Sequence, residues 1–503
     1  MTSLAALDRL VTDLCLEFQS AGPFERHLFI PTPAALAGLS RRSETLRDEV
    51  AATAEDLIWK EHLLEVLDLL QFRLEEDQRF PYRFLGHVVG TVNSLTSMDS
   101  RPVAKRAAIL AEKLPQTADL FPVVLEMLGR LPADRLDQVR EYAVALQQVL
   151  AGAEPVVAAW GRSDLVPVLQ ATAAAARRFV DALAAGIRRN ELLQDFPFDM
   201  TLTRGYGVDL ADLLSWYETE IARREAELTE LAARIQPGKS PHAILDEELP
   251  AYPDPAMMFA PMREYVEIAR KASLRYITLP QGESCDVADV PEQLKRSYPW
   301  GGFSGGNPLQ GSLLGKVFLN SANYKAVTKG WLQMMAIHEC YPGHHAHFVK
   351  TAAAEIPDSY KLGSLRMSKS TPLIEGGAHR SEELFQDLFP DRAFPLFIKL
   401  RQLHTAVRIK AEISMHHLGR PRDEAVDLYV KHLGFSRQSA DGQVRYGEIW
   451  PGYFCCYYYG HKRLEELKAR YRMPEPQFTE LTFSSGFVSL ETVERLLAER
   501  VGQ

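Results

Sequence analysis

The chain has 503 residues, with 57 Lys and Arg against 66 Asp and Glu, and a formal charge of −9. A hydrophobic share of 46% and a charged share of 24% are ordinary globular usage, which excludes a collagen, a disordered tail or a disulfide-stapled miniprotein. The mild acidity and the lack of a Lys/Arg-rich block exclude non-specific nucleic-acid binding, and at about 150 residues per domain the length predicts two or three lobes.

At the amino terminus, Leu4, Leu7, Val11, Leu14 and Phe18 follow helical spacing with Asp8, Asp13 and Glu17 between them. This predicts a surface helix of the mature fold rather than a signal peptide. Residues 55–77, 172–196 and 209–235 are rich in Leu, Ala, Glu and Arg and predict long helices. In the third, Leu214, Ile221, Leu228 and Ile235 repeat every seven residues, with Tyr217 and Leu231 filling the intervening turns, as on a helix packed against a neighbour. Prolines from Pro237 to Pro261 then break the pattern, which predicts a boundary near 236–262 and two domains, 1–240 and 241–503. Next, 273–280 (SLRYITLP) and 316–320 (KVFLN) read as short strands, and 300–315 is too glycine-rich for a regular element. From about residue 325 the texture is helical again. The fold class is mainly α, with a small β insert.

The five cysteines, Cys15, Cys285, Cys340, Cys455 and Cys456, include no C-x-x-C and read as reduced thiols. No run approaches the roughly 18 apolar residues of a membrane span. The resulting expectation is a cytoplasmic protein with neither a membrane nor a nucleic-acid partner.

One segment carries chemistry. AIHECYPGHHAHF, residues 336–348, holds His338, Glu339, His344, His345 and His347 after the apolar run Leu332, Met334, Met335, Ala336 and Ile337. Imidazoles clustered on a buried helix need partners, and a divalent metal is the most economical one. In H-E-x-x-H, two histidines one turn apart ligate zinc and the Glu activates its water. Here position 342 is Pro, and the second histidine comes six or seven residues after His338. On an ideal helix that separation is about 9–10.5 Å along the axis, too far for bonds of about 2.0–2.1 Å to one ion. Pro342 and Gly343 therefore predict a bulge that shortens the reach.

Catalytic zinc takes three protein ligands and keeps one position for water. The best third candidate is Glu375, in TPLIEGGAHRSEELF, where two following glycines suggest a close packing neighbour. Of Glu382 and Glu383, one could orient a histidine ligand, although a solvated acidic face is the commoner reading. His404, Arg408, Glu412 and His416 lie four residues apart on one helix face. A solvated, salt-bridged face is again the commoner reading; otherwise the stripe lines a cleft and His416 donates to an oxyanion. Tyr457, Tyr458 and Tyr459 read as core, unless one phenol is aimed at an oxyanion.

HECYPGHH resembles the H-E-x-x-P-G-H-H signature of the bacterial family known as domain of unknown function 885. That family is similar to zinc peptidases of the gluzincin type, which pair H-E-x-x-H with a downstream Glu. Glu375, Gly376, Ala378 and Glu382 match its E-G-W-A-x-Y-x-E pattern. Glu412 and His416 match an acid and a histidine of a later stretch, and Pro451, Gly452, Tyr457 and Gly460 match P-G-x-x-x-S-Y-x-x-G. The resemblance implies His338, His344 and Glu375 as ligands of one Zn2+ per chain and Glu339 as base. It places His416 and Tyr457 toward the substrate, and it implies two helical lobes around a cleft. His344 is preferred to His345 because related peptidases have Gly-His at the second ligand. Departures are Gly377 for Trp, Arg380 for Tyr, and Gln310, Leu313 and Leu314 for Asp, Arg and Pro of the family loop.

The expected function is a zinc-dependent amide hydrolase acting on short peptides or peptide-like small molecules. His/carboxylate sites also accept manganese, iron or cobalt. One alternative is the same machinery acting on a non-peptide metabolite amide. The other is a non-catalytic helical metal-binding protein, whose closed site would add His345 or Cys340 as fourth ligand.

Overall fold

A computed structural model describes all residues except 1, 55, 100, 132, 187–192, 293, 294, 296–299, 363–367 and 503. Short polar side chains start many of its helices by accepting from amides that have no partner within the helix. Ser3 caps Leu4–Gln19, Asp56 caps Leu57–Arg79, Asp209 caps Leu210–Ile235 and Thr328 caps Lys329–Met335. The first helix buries Leu4, Leu7, Val11, Leu14 and Phe18, as its spacing predicts. The helix read at 172–196 runs Val166–Ala185, and its continuation through 187–192 lies outside the described residues.

The chain forms two compact units, one of Met1–Phe196 with Pro291–Ser297, the other of Pro197–Val290 with Tyr298–Gln503. The division expected at 240/241 thus falls at 196/197. The reason is the helix Leu210–Ile235. It packs on Phe394–Glu412, and Arg224 reaches Glu383 at 2.9 Å and the Tyr458 hydroxyl at 2.7 Å, all within the second unit. On this helix Ile221 and Leu228 are buried, but Leu214 is 41% exposed and Leu213 takes the buried place. A strict seven-residue repeat drifts by about 20° per heptad on a straight helix, so its ends leave the seam.

Three strands form one sheet in the second unit: β1 Ser284–Asp289, β2 Gly301–Gly305 and β3 Leu314–Leu319, in the order β1-β3-β2. β1 runs parallel to β3 and β2 antiparallel to it. The strand expected at 316–320 is β3. The one expected at 273–280 is absent, because its backbone groups are taken by partners other than a neighbouring strand. Ile277 N–H donates to Ser273 O, Glu480 accepts from Thr278 N–H, and Lys350 Nζ donates to Thr278 O. Conversely, the glycine stretch does contain a strand. A Cβ on Gly301, at φ +113°, would stand 1.9 Å from Phe318 O, so glycine is what lets β2 lie against β3.

The helices Thr371–Leu384 and Cys455–Tyr471 meet through two glycines. A Cβ on Gly376 would stand 2.4 Å from the Gly460 carbonyl carbon, and one on Gly460 would stand 1.9 Å from Pro372 O. Gly377 differs, since its nearest neighbour would be Phe483 at 3.9 Å. Gly460→Ala is therefore expected to destabilise by about 1–3 kcal/mol through forced separation of the helices. Gly377→Ala is expected to be neutral or to gain up to about 1 kcal/mol of helix propensity. Denaturant unfolding of the two variants measures the contrast.

Candidate metal centre

The histidine segment is built by a helix that fails on schedule. Lys329–Met335 passes into a single π turn, Ala336–Cys340, in which Tyr341 N–H donates to Ala336 O. Residues 341–343 leave the helix, and a new one, His344–Ala353, begins. A Cβ on Gly343 would lie 1.8 Å from His338 O and 2.3 Å from Ile337 O. Only a residue without a side chain lets the second helix start against the carbonyls of the first. The predicted distortion is present, and it sets the His338 and His344 rings 4.8 Å apart, nearly perpendicular at 86°.

Glu375 arrives from the buried helix Thr371–Leu384. Its Oε2 lies 3.7 Å from His338 Nε2 and 3.4 Å from His344 Nε2. Donors bound tetrahedrally at about 2.0–2.1 Å are about 3.3–3.4 Å from one another, so these spacings fit one small ion. The same Oε2 is buried and has no hydrogen-bond partner, while Oε1 accepts from the Tyr453 hydroxyl at 2.5 Å. Glu339 Oε2 is 4.0 Å from His344 Nε2. One donor atom from each of His338, Glu339 and His344 falls within 4.8 Å of the others.

Behind the cluster, Glu382 Oε1 holds His338 Nδ1 at 2.7 Å, which leaves Nε2 facing Glu375. Glu382 in turn meets Arg401 Nη2 at 3.3 Å and His379 Nδ1 at 3.3 Å. Glu383 pairs instead with Arg224 and Lys399. The pair is thus not a solvated acidic face. Burial alone lowers the His338 imidazole, but Glu375 and Glu382 outweigh it and raise its pKa to about 10. Burial raises Glu375, yet His344 and His338 hold its carboxyl well below the usual range; Arg401 and His379 do the same for Glu382. The pocket selects positive charge, and at neutral pH without metal a proton on His338 supplies it.

The neighbouring candidates are engaged elsewhere. His345 Nε2 is 2.9 Å from Glu283 Oε2, a carboxylate that also accepts from Tyr341 and from Arg270 Nε. His347 Nε2 meets Gly486 O at 3.0 Å, and Cys340 Sγ lies 3.7 Å from Cys285 Sγ. All five cysteines are free thiols. The Tyr457 ring lies parallel to His338 at 6.2 Å, and its hydroxyl is 3.2 Å from that of Tyr453. His416 stacks on Phe198 at 5.4 Å and lies 3.7 Å from Glu412. His404, Arg408 and Glu412 are buried, which overturns the solvated reading of that stripe. Burial pushes the Glu412 carboxyl up to about 8, although Gly452 N–H donates to it at 2.7 Å.

Of the departures, Arg380 is buried and pairs with Glu465 at 2.5 Å and Glu475 at 2.7 Å, tying helices together. Gln310 ends the short turn Pro308–Gln310, which packs on His344–Ala353, and Leu314 opens β3 with 46% exposure. Sequence reasoning missed Tyr453 and Glu283. Only the adjacent Pro451-Gly452 pair hinted at Tyr453, and nothing marked Glu283.

No curated protein matches the sequence. Two solved structures share the fold over the whole chain, both provisionally described as lipoproteins. One, from Colwellia psychrerythraea, has a TM-score of 0.78 at 15% identity and covers 100% of each chain. The other, of unknown function and from Shewanella oneidensis, has a TM-score of 0.71 at 13% identity and covers 99% of this chain and 100% of its own. A structure provisionally described as an oligoendopeptidase F from Bacillus anthracis str. Ames reaches only 0.35 at 12% identity over 99% and 92%, too distant a fold to argue from. The cytoplasmic expectation is overturned by the first two, since the fold occurs in proteins described as lipoproteins. The family model for a bacterial protein of unknown function, DUF885, matches residues 19–497, and the chain belongs to that family.

Proposed function

We propose that the chain is a metal-dependent amide hydrolase acting on short peptides or peptide-like small molecules. One observation carries this reading: two histidine Nε2 atoms converge on a buried carboxylate oxygen that has no other partner, with Glu339 alongside. His338, His344 and Glu375 would hold the ion, and zinc suits two imidazoles and a carboxylate. Bound there, such an ion supplies a Lewis acid that polarises a carbonyl and makes water acidic enough to react near neutral pH.

This chain's residues do the rest. Glu339 takes the proton of the attacking water on its carboxylate and returns it to the leaving nitrogen. Glu382 fixes the His338 ring by its Nδ1–H, and Tyr453 fixes Glu375 through Oε1. The Tyr457 hydroxyl is the donor assigned to the oxyanion, since its ring runs parallel to that of His338 at 6.2 Å. His416 touches Phe198 and Glu412, and a direct part in the reaction rests on the family resemblance alone.

The Gln310, Leu313 and Leu314 departures favour a second reading of the substrate, a non-peptide amide. Turnover of free and blocked dipeptides by metal-loaded protein separates the two, since that reading expects none. A structural, four-ligand metal is disfavoured, because His345 and Cys340 face Glu283 and Cys285.

Glu339→Gln is expected to retain about one metal per chain and to lose roughly 10²–10⁴-fold in turnover. Metal analysis beside an amide-hydrolysis assay reads both, and equal activity removes Glu339 from the mechanism. Glu382→Gln is expected to weaken metal affinity about 10–100-fold in a chelator competition. The same change leaves Arg401 buried without its carboxylate, so its melting temperature is expected to fall as well.

A further inference from the structure

Six arginines are buried among the described residues: Arg73, Arg83, Arg224, Arg380, Arg401 and Arg408. Five have a carboxylate within ion-pair distance, respectively Glu76, Glu76 and Asp77, Glu383, Glu465 and Glu475, and Glu382. Arg408, 7% exposed, has none. Its nearest acid along the helix, Glu412, has its carboxyl pushed up to about 8 by burial and is protonated near neutrality. A guanidinium held out of water without an anion is costly, and a fold keeps one where an anion arrives later.

The local geometry says which edge of the guanidinium waits. Nε–H donates to Gln443 Oε1 at 3.0 Å, an oxygen that also lies 3.0 Å from His404 Nε2. The guanidinium carbon lies 4.0 Å from the Phe454 ring centre and 4.9 Å from that of Tyr457. Gln443 thus fixes the plane and two rings flank it. The Nη1–Nη2 edge carries no hydrogen bond among the described residues, and it is the fork that matches a carboxylate bidentately. Tyr457 is also the ring that lies parallel to His338, so the fork and the metal cradle share one side chain.

We infer that Arg408 receives the free carboxylate of the substrate, and that the hydrolysed amide is the one next to that carboxylate, as in an N-acyl amino acid or a peptide cut at its carboxyl end. The placement of the scissile bond rests on the hydrolase reading; the carboxylate site does not.

The test is calorimetry on metal-free protein with benzoylglycine and with benzoylglycinamide, which differ only in the charged end. A charge-assisted bidentate contact predicts about a tenfold to hundredfold preference for the acid. In Arg408→Gln the ratio of the two affinities is expected to fall to near one. In Arg408→Lys, which keeps the charge and loses the fork, it is expected to lie between. Equal binding of acid and amide by the unsubstituted protein overturns the site, and that comparison stands even if Arg408→Gln fails to fold. A preference that survives in a folded Arg408→Gln overturns it too. With metal-loaded protein, kcat/KM for free-acid and carboxyamidated peptides gives a second readout. An equal loss on both in Arg408→Gln would assign the residue to the oxyanion and overturn the inference. Binding without hydrolysis would sink the hydrolase reading alone.

Discussion

Everything at the His338–His344–Glu375 cluster depends on one steric allowance, the contact of Gly343 with the carbonyls of Ile337 and His338. A regular helix would separate His338 and His344 by nearly two turns. The π turn at Ala336–Cys340, the exit through Pro342 and the restart at His344 remove that distance. A side chain at 343 would occupy the space of the His338 carbonyl oxygen. The same device recurs one layer out, where Gly376 and Gly460 bring the helix of Glu375 against the helix of Tyr457. Two backbone approaches closer than any Cβ allows therefore set both halves of the cluster.

Once the groups converge, electrostatics takes over. Glu375 and Glu382 stay ionised despite burial because each is faced by a cation or an imidazole. Arg401 balances Glu382, and its guanidinium also lies 5.2 Å from the Trp331 ring centre, on the helix that leads into His338. The chain of contacts runs from Trp331 through Arg401, Glu382 and His338 to Glu375 and Tyr453. Each member fixes the orientation of the next. Arg408 stands apart because, among the described residues, no carboxylate lies within ion-pair distance of it; an amide oxygen and two ring faces meet it instead.

The helices were legible because Leu, Ala, Glu and Arg at helical spacing state their preference locally. The histidine cluster was legible because histidines and a proline-glycine break are rare in so short a stretch. The strand Gly301–Gly305 was not, since a glycine-rich strand has no side-chain pattern and exists only through its ladder with Leu314–Leu319. The reading of 273–280 failed in the opposite sense. Its side chains suit a strand, but Lys350 and Glu480, distant in sequence, claim its backbone. The buried stripe His404, Arg408 and Glu412 misled because polar residues at four-residue spacing look alike on a wet face and in a packed interior.

The amino-acid sequence by itself determined the helical class and the family, and it marked His338, Glu339, His344 and His345 as a dense local motif with Glu375 as a downstream candidate, because composition, periodicity and short motifs are one-dimensional properties. Tertiary structure alone decided that His345 turns to Glu283 while His344 faces Glu375, and that Glu382 rather than Glu383 backs His338. It alone decided that, of the six buried arginines among the described residues, one lacks a carboxylate within ion-pair distance. Adjacent residues on a helix point about 100° apart, and what each one meets belongs to a different stretch of chain.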